Sequence, residues 1–277
     1  MKQPTMPDSR GPVEGSLFLW PDHWVLFGHL SANRTHQHVS ASLLVSLDGP
    51  FALEAEGAWH QTDAALVAPD VPQALDPQGR CLLVAQLDPD APRWRSLCRL
   101  TEDASFVNLH ERIGSNPWLP QIAAAGQDGQ GAEQGALDGD LVRRQLDAMI
   151  RTVGHPPRGM DARIERVCQQ LRRTLPDRLD LGALGALVGL SSSRLTHLFR
   201  QETGVTLRRF LMHLKVTRAM REWQPGMSFS TLAAEAGFYD QPHLVRTARR
   251  MFDALPSAYV ASGKLQLFHC QDSSAPS

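Results

Sequence analysis

The feature that most constrains this 277-residue chain is a pattern it contains twice. In the stretch LGALVGLS, residues 184–191, apolar Leu184, Leu187 and Val188 recur at helical spacing on one face. Gly189 follows, where a positive φ costs little, so a short helix should end there in a tight turn. Ser191 can cap a second helix whose inner face carries Leu195, Leu198 and Phe199. About 48 residues further on the arrangement returns as LAAEAGF, residues 232–238, with Ala233 and Gly237 at the places of Gly185 and Gly189. The partner helix begins near Asp240 and is expected to bury Leu244, Ala248, Met251 and Phe252. Between the two units, residues 206–223 carry Leu207, Phe210, Leu211 and Leu214 at helical spacing. At 1.5 Å per residue that connector is a strut of about 27 Å.

The faces left outside are polar and basic. On the first unit they are Ser193, Thr196, His197 and Arg200; on the second they are Gln241, His243, Arg246, Arg249 and Arg250. Hydroxyl, imidazole and guanidinium groups on such a helix can reach base edges and phosphates while its apolar stripe docks on the preceding helix. Gln241 suits adenine, Arg246 suits guanine or a phosphate, and Arg249 and Arg250 suit the backbone. Two such helices on a rigid strut could enter successive major grooves of a duplex whose repeat is about 34 Å. Double-stranded DNA is therefore the expected partner. The overall net charge of −1 conceals a division along the chain: residues 161–264 hold 16 Lys and Arg against 9 Asp and Glu, and the remainder holds 12 against 20. A basic module joined to an acidic one fits a phosphate-binding part attached to a separate sensor.

The first half reads differently. Residues 16–20, 24–30, 42–47 and 81–87 are short β-branched and apolar runs separated by Pro-Asp, Asp-Gly and Gln-Gly turn signals, which predicts a small β-rich domain. The pattern turns helical from Trp94, a Gly/Gln/Asp-rich loop is expected at 127–139, and Leu141, Leu146, Met149 and Ile150 predict a further helix over 141–153. Gly154-His155-Pro156-Pro157-Arg158-Gly159 cannot continue a helix and is expected to link two domains. From Asp161 the chain reads as all-α, and the tail 271–277 as polar and frayed. No stretch approaches the roughly 18 apolar residues of a membrane span, and the N-terminus lacks a secretory h-region, so no membrane association and a cytoplasmic location are expected. Cys81, Cys98, Cys168 and Cys270 form no CxxC pair and suggest neither disulfides nor zinc.

His36 and His38, two apart on a strand, share a face as metal ligands would. With Gly49 after them they resemble the first half of a cupin motif, but no glutamate follows His38 before Gly49 and Gln73 stands where that resemblance would place a histidine, so they are expected as lip or packing residues that touch a ligand. Trp20, Trp24 and Trp59 could line an apolar pocket or form plain core.

The stretches GLSSSRLTHLFRQETGVTLRRFLMHLKVTRA and AAEAGFYDQPHLVRTARRMFDALPSAYV resemble the two signature stretches of the AraC/XylS family of transcriptional regulators. The resemblance covers residues 161–263 and implies a helical DNA-binding domain with the nine polar residues above, apart from Arg249 and Arg250, at groove-facing positions. It also implies a cupin-like N-terminal domain that binds a small-molecule effector, RNA polymerase as a partner, and residues 141–153 as a surface for a homodimer. The sequence departs from the family pattern at Gly185, Lys215, Ala248 and Ala254; Gly185 should cost its helix about 0.5–1 kcal/mol relative to alanine. The expected fold class is thus α+β in two domains: a β-rich cupin-like barrel with C-terminal helices at 14–153, a linker at 154–160, and an all-α domain with two helix-turn-helix units at 161–263. His36, His38 and Trp59 are the candidate effector contacts. Neither catalysis, a cofactor nor a metal is expected; the alternative is a metal-dependent cupin enzyme with an accessory helical domain.

Overall fold

A computed structural model describes residues 14–113, 138–224, 226–253 and 265–271. Strand β4 (Ala41–Ser46) is buried along its whole length, because both faces of its sheet are covered. That sheet has seven strands in the order β10-β7-β4-β9-β2-β1-β11, built from β1 (Glu14–Leu19), β2 (His23–His29), β4, β7 (Ala64–Val67), β9 (Cys81–Leu87), β10 (Phe106–Asn108) and β11 (Leu265–His269). A second sheet, ordered β3-β8-β5-β6, comprises β3 (His36–Gln37), β5 (Phe51–Ala55), β6 (Ala58–Thr62) and β8 (Pro72–Asp76). Alternation along β4 sends Leu44 into a core shared with Phe51, Leu53 and Leu75 of the small sheet. Leu43 and Val45 point the other way, toward helices. The two ladders remain separate, so the expected barrel is an unclosed pair of sheets.

The helical layer contains α1 (Pro92–Leu97), α2 (His110–Ile113) and α3 (Gly139–Val153). Asp138 caps α3 by accepting from the Asp140 amide, and Val142, Leu146, Met149, Ile150 and Val153 pack on the large sheet with Trp94 and Leu97. The apolar face expected at a dimer contact is therefore already covered by the chain's own domain. Most of the glycine-rich stretch at 127–139 lies outside the described residues, as does Ala254.

The helical region is α4 (Ala162–Thr174), α5 (Leu181–Val188), α6 (Ser192–Thr203), α7 (Leu207–Glu222), α8 (Phe229–Glu235) and α9 (Gln241–Phe252). Each begins with a side chain that satisfies a free amide of the first turn: Asp161, Asp180, Ser191, Thr206, Ser228 and Asp240. Such caps contribute about 1 kcal/mol each, which matters for helices as short as α5 and α8. No helix among the described residues is long and apolar enough to cross a membrane.

The two regions share one continuous core in which Leu17, Leu19, Trp24 and Val39 meet residues of α4 to α9. Residues 154–160 carry no regular structure but are held down: the buried Arg95 guanidinium donates to the carbonyls of Arg158 (2.8 Å), Gly159 (2.6 Å) and Glu202 (2.8 Å). The last strand was not expected. After the helical region the chain returns as β11, pairs in parallel with β1 from Gly15↔Leu265 to Leu19↔His269, and stacks Phe268 on Phe18 at 4.8 Å. Parallel pairing with the far end of the chain has no local sequence signature.

Candidate nucleic-acid interface and ligand cavity

In the first helix-turn-helix unit, α5 ends at Gly189 with φ +68° and Ser191 opens α6. Leu195, Leu198 and Phe199 are buried as expected, while Ser193, Thr196, His197 and Arg200 are exposed on the other side. The Thr196 hydroxyl donates to the Ser192 carbonyl at 2.8 Å, which leaves its oxygen and methyl for an approaching base. Leu187, expected inside, is 38 % exposed; Leu184 and Gly185 are buried, and Leu181 and Val188 pack partly against the same core as Leu184.

Gly185 has a packing reason beside the propensity cost expected of it. A Cβ at this position would lie 2.4 Å from the Leu190 carbonyl oxygen, and the Gly185 carbonyl accepts from the Leu190 amide at 2.9 Å. Glycine is what lets the turn close this tightly.

In the second unit Ala233 is buried and Gly237 takes φ +74°. Its carbonyl accepts at 2.6 Å from Lys215 Nζ on α7, which also reaches the Asp177 carbonyl at 3.3 Å. The connector lysine thereby fastens the turn of this unit to α7, and its burial pushes the ammonium below the usual lysine range. Along α9, Leu244, Ala248 and Met251 face inward, and Gln241, Arg246, Arg249 and Arg250 are exposed. Gln241 Oε1 accepts from Ser230 at 3.1 Å, and the half-buried His243 ring sits edge-on to Phe238 at 5.2 Å. His243 therefore presents only part of its ring to the outside.

The spacing of the repeat gave no hint of Arg208. On the first turn of α7 it joins Arg209, His243, Arg246 and Arg250 around a cleft of about 600 Å³ between α7 and α9. Among the described residues Arg208, Arg246, Arg249 and Arg250 enter no ion pair, whereas Arg209 is held by Asp70 at 2.6 Å. Unneutralised guanidiniums beside an exposed helix face are suited to phosphate oxygens. Tyr239, in the turn before α9, is 93 % exposed and was also not singled out by the sequence.

A second concavity, about 100 Å³, lies under the small sheet and is lined by His36, His38, Gln73 and Trp24 together with Met220 of α7 and Phe252 of α9. His36 Nδ1 donates to the Arg34 carbonyl at 2.8 Å, and the two imidazoles meet Nε2 to Nε2 at 2.8 Å. Burial lowers the proton affinity of both rings, most strongly at His38. Among the described residues no three His, Cys, Asp or Glu side chains converge as metal ligands would. Trp24 lines the cavity, and Trp20 stacks on His23 at 4.5 Å within the core. Trp59, expected beside the histidines, is 41 % exposed on β6 and does not line the cavity.

This is a two-domain protein whose helical part presents paired helix-turn-helix units. The profile of the family described as "Helix-turn-helix domain" matches residues 184–262. The chain is 33% identical over 146 residues to the arabinose operon regulatory protein of Salmonella typhimurium, a match covering 51% of each chain. It is 32% identical over 146 residues to the protein of the same description from Escherichia coli, covering 51% of this chain and 49% of the relative. The chain spans about half the length of the curated relatives it matches. Over nearly its whole length it shares a fold with ToxT of Vibrio cholerae: the apo structure aligns with a TM-score of 0.55 at 9% identity, covering 87% of this chain and 97% of ToxT. A ToxT structure bound to (E)-4-(8-methylnaphthalen-1-yl)but-3-enoic acid aligns at 0.53 with 10% identity, covering 87% and 98%. Residues 184–262 thus carry a helix-turn-helix domain, set behind a β-rich N-terminal domain, and about half of the chain is similar to arabinose operon regulatory proteins.

Proposed function

We propose that the chain is a cytoplasmic, sequence-specific DNA-binding transcription regulator in which α6 and α9 enter adjacent major grooves and the bound protein recruits or obstructs RNA polymerase. The observation that carries this is the pair of exposed polar faces, Ser193, Thr196, His197 and Arg200 on α6 and Gln241, Arg246, Arg249 and Arg250 on α9, set on one connector helix. Residues 161–263 supply DNA binding, 154–160 connect, and 14–153 house a small-molecule site around His36 and His38. A ligand-bound ToxT on the same fold supports that last assignment. A homodimer would have to use a surface other than the apolar face of α3.

Selection of random duplex DNA on the full chain, followed by salt titration of the winning site and a scrambled one, tests the reading. The expected result is a long two-part site, a steep salt slope and a specificity ratio above about 10³. Equal affinity for both duplexes would overturn it.

A further inference from the structure

We propose that the cavity between the small sheet and the end of α9 takes an uncharged, largely apolar molecule of about one small ring, carrying a hydroxyl-type donor that hydrogen-bonds His38 Nδ1. This rests on the regulator reading and names the ligand class of its N-terminal site.

Size comes first. An apolar cavity of about 150 Å³ holds benzene, so the space of about 100 Å³ here accommodates at most about one small ring. Its wall is built from Leu, Val, Trp, Met and Phe side chains with a few neutral polar ones, and no carboxylate, ammonium or guanidinium among the described residues lines it. A charged ligand group would be buried there without a counter-charge among the described lining residues, which burial strongly disfavours.

Proton bookkeeping then selects the functional group. His36 donates from Nδ1 to the Arg34 carbonyl, so in its neutral form its Nε2 is an acceptor. His38 must therefore donate from Nε2 across the 2.8 Å contact, which leaves its Nδ1 as a bare acceptor. That atom is buried and has no partner, in a side chain that lines the cavity. The neighbouring amides do not fill the need. Gln73 and Gln86 both donate to the Ser42 hydroxyl, at 2.7 and 2.8 Å, and Gln86 in turn accepts from Ser40 at 2.7 Å. A buried acceptor without a donor is unfavourable, and a ligand O–H aimed at it would recover that loss. The indole N–H of Trp24 is a second buried polar group without a partner, and a hydroxyl oxygen can accept from it. The same ligand would touch the second helix-turn-helix unit: Phe252, the last residue of α9, lies 5.3 Å from the His38 ring and 5.9 Å from Trp24.

Titration of the full chain near pH 7 with phenol, the near-isostere fluorobenzene, benzoate and benzylammonium tests the assignment. Phenol is expected to bind about tenfold tighter than fluorobenzene, the worth of one hydrogen bond, and the two ions not at all. Replacement His38→Leu should bring phenol down to the level of fluorobenzene. Should that variant misfold, the wild-type comparison of the two neutral probes stands on its own. Equal binding of phenol and fluorobenzene, binding of either ion as tight as phenol, or no binding of any probe would overturn the proposal. Site-specific DNA binding on the same preparation is read separately. If it persists while the probes fail, the ligand class is wrong and the regulator reading stands.

Discussion

His213 of the connector helix α7 donates from Nε2 to Asp88 at the end of β9 across 2.6 Å, and both side chains are buried at the junction of the two domains. Arg172 of α4 reaches the other oxygen of the same carboxylate at 2.6 Å and Asp90 at 2.8 Å. Burial alone would raise the Asp88 carboxyl, but the charges and hydrogen bonds of His213 and Arg172 outweigh it and hold it below the usual aspartate value. The carboxylate thus fastens two helices of the helical region to the sheet.

Asp88→Asn should leave Arg172 partly unneutralised at a largely buried site and cost about 3 kcal/mol of unfolding free energy. Urea unfolding measures it, and faster proteolysis at residues 154–160 would show that the domains have come apart. Because the folded carboxyl titrates below its unfolded value, its contribution is present above about pH 4 and lost as the pH falls through the folded value. Stability unchanged by Asp88→Asn would remove the junction from the account.

Gly185→Ala should destabilise the first helix-turn-helix unit by about 1–3 kcal/mol, as overpacking does, despite alanine's better helix propensity. The cause is the Leu190 carbonyl 2.4 Å from the added methyl. Thermal unfolding gives the sign directly; a gain in stability would show that the turn relaxes at little cost.

Two arginines of one cleft should separate in a DNA titration. Arg246→Ala, on the exposed face of α9, should weaken the selected site by about 1–3 kcal/mol and relax its base preference if Arg246 reads a base. Arg208→Ala should weaken selected and scrambled duplexes alike and reduce the salt slope by about one, as loss of a phosphate contact does. An unchanged slope for Arg208→Ala would take the α7–α9 cleft off the DNA path.

The neutral histidine pair sets a pH response. Both folded proton affinities are depressed, His36 by burial and His38 by burial with His36 and His213 beside it, and Asp253 partly offsets the effect at His36. The unfolded chain therefore gains these protons first. Stability should fall as the pH drops below about 6.5, by up to about 1.4 kcal/mol per pH unit for each ring, until the folded values are reached. Melting temperatures between pH 7.5 and 5 measure the slope, and the double replacement His36→Gln with His38→Gln should flatten it. An equally steep slope in that variant would assign the response elsewhere.

The sequence by itself determined the local structure of the helical region. Gly189, Ser191, Gly237 and Asp240 act within a few residues of themselves, through positive φ and capping, so the turns were legible without knowing what surrounds them. The strands around residues 16–20, 24–30, 42–47 and 81–87 were legible for the same reason, from alternation and turn signals. What only the tertiary structure decided are relations between distant residues. The approach of Leu190 to Gly185 adds a steric demand for glycine that propensity alone does not contain. The α3 face read as a dimer surface is filled by its own sheet, and Trp59 alternates outward on β6. Arg208 joins Arg246 only because α7 packs on α9, and β11 finds β1 across almost the whole chain. Periodicity reports which face of an element is apolar, whereas the neighbour that covers that face is chosen by long-range packing, which no short window of sequence contains.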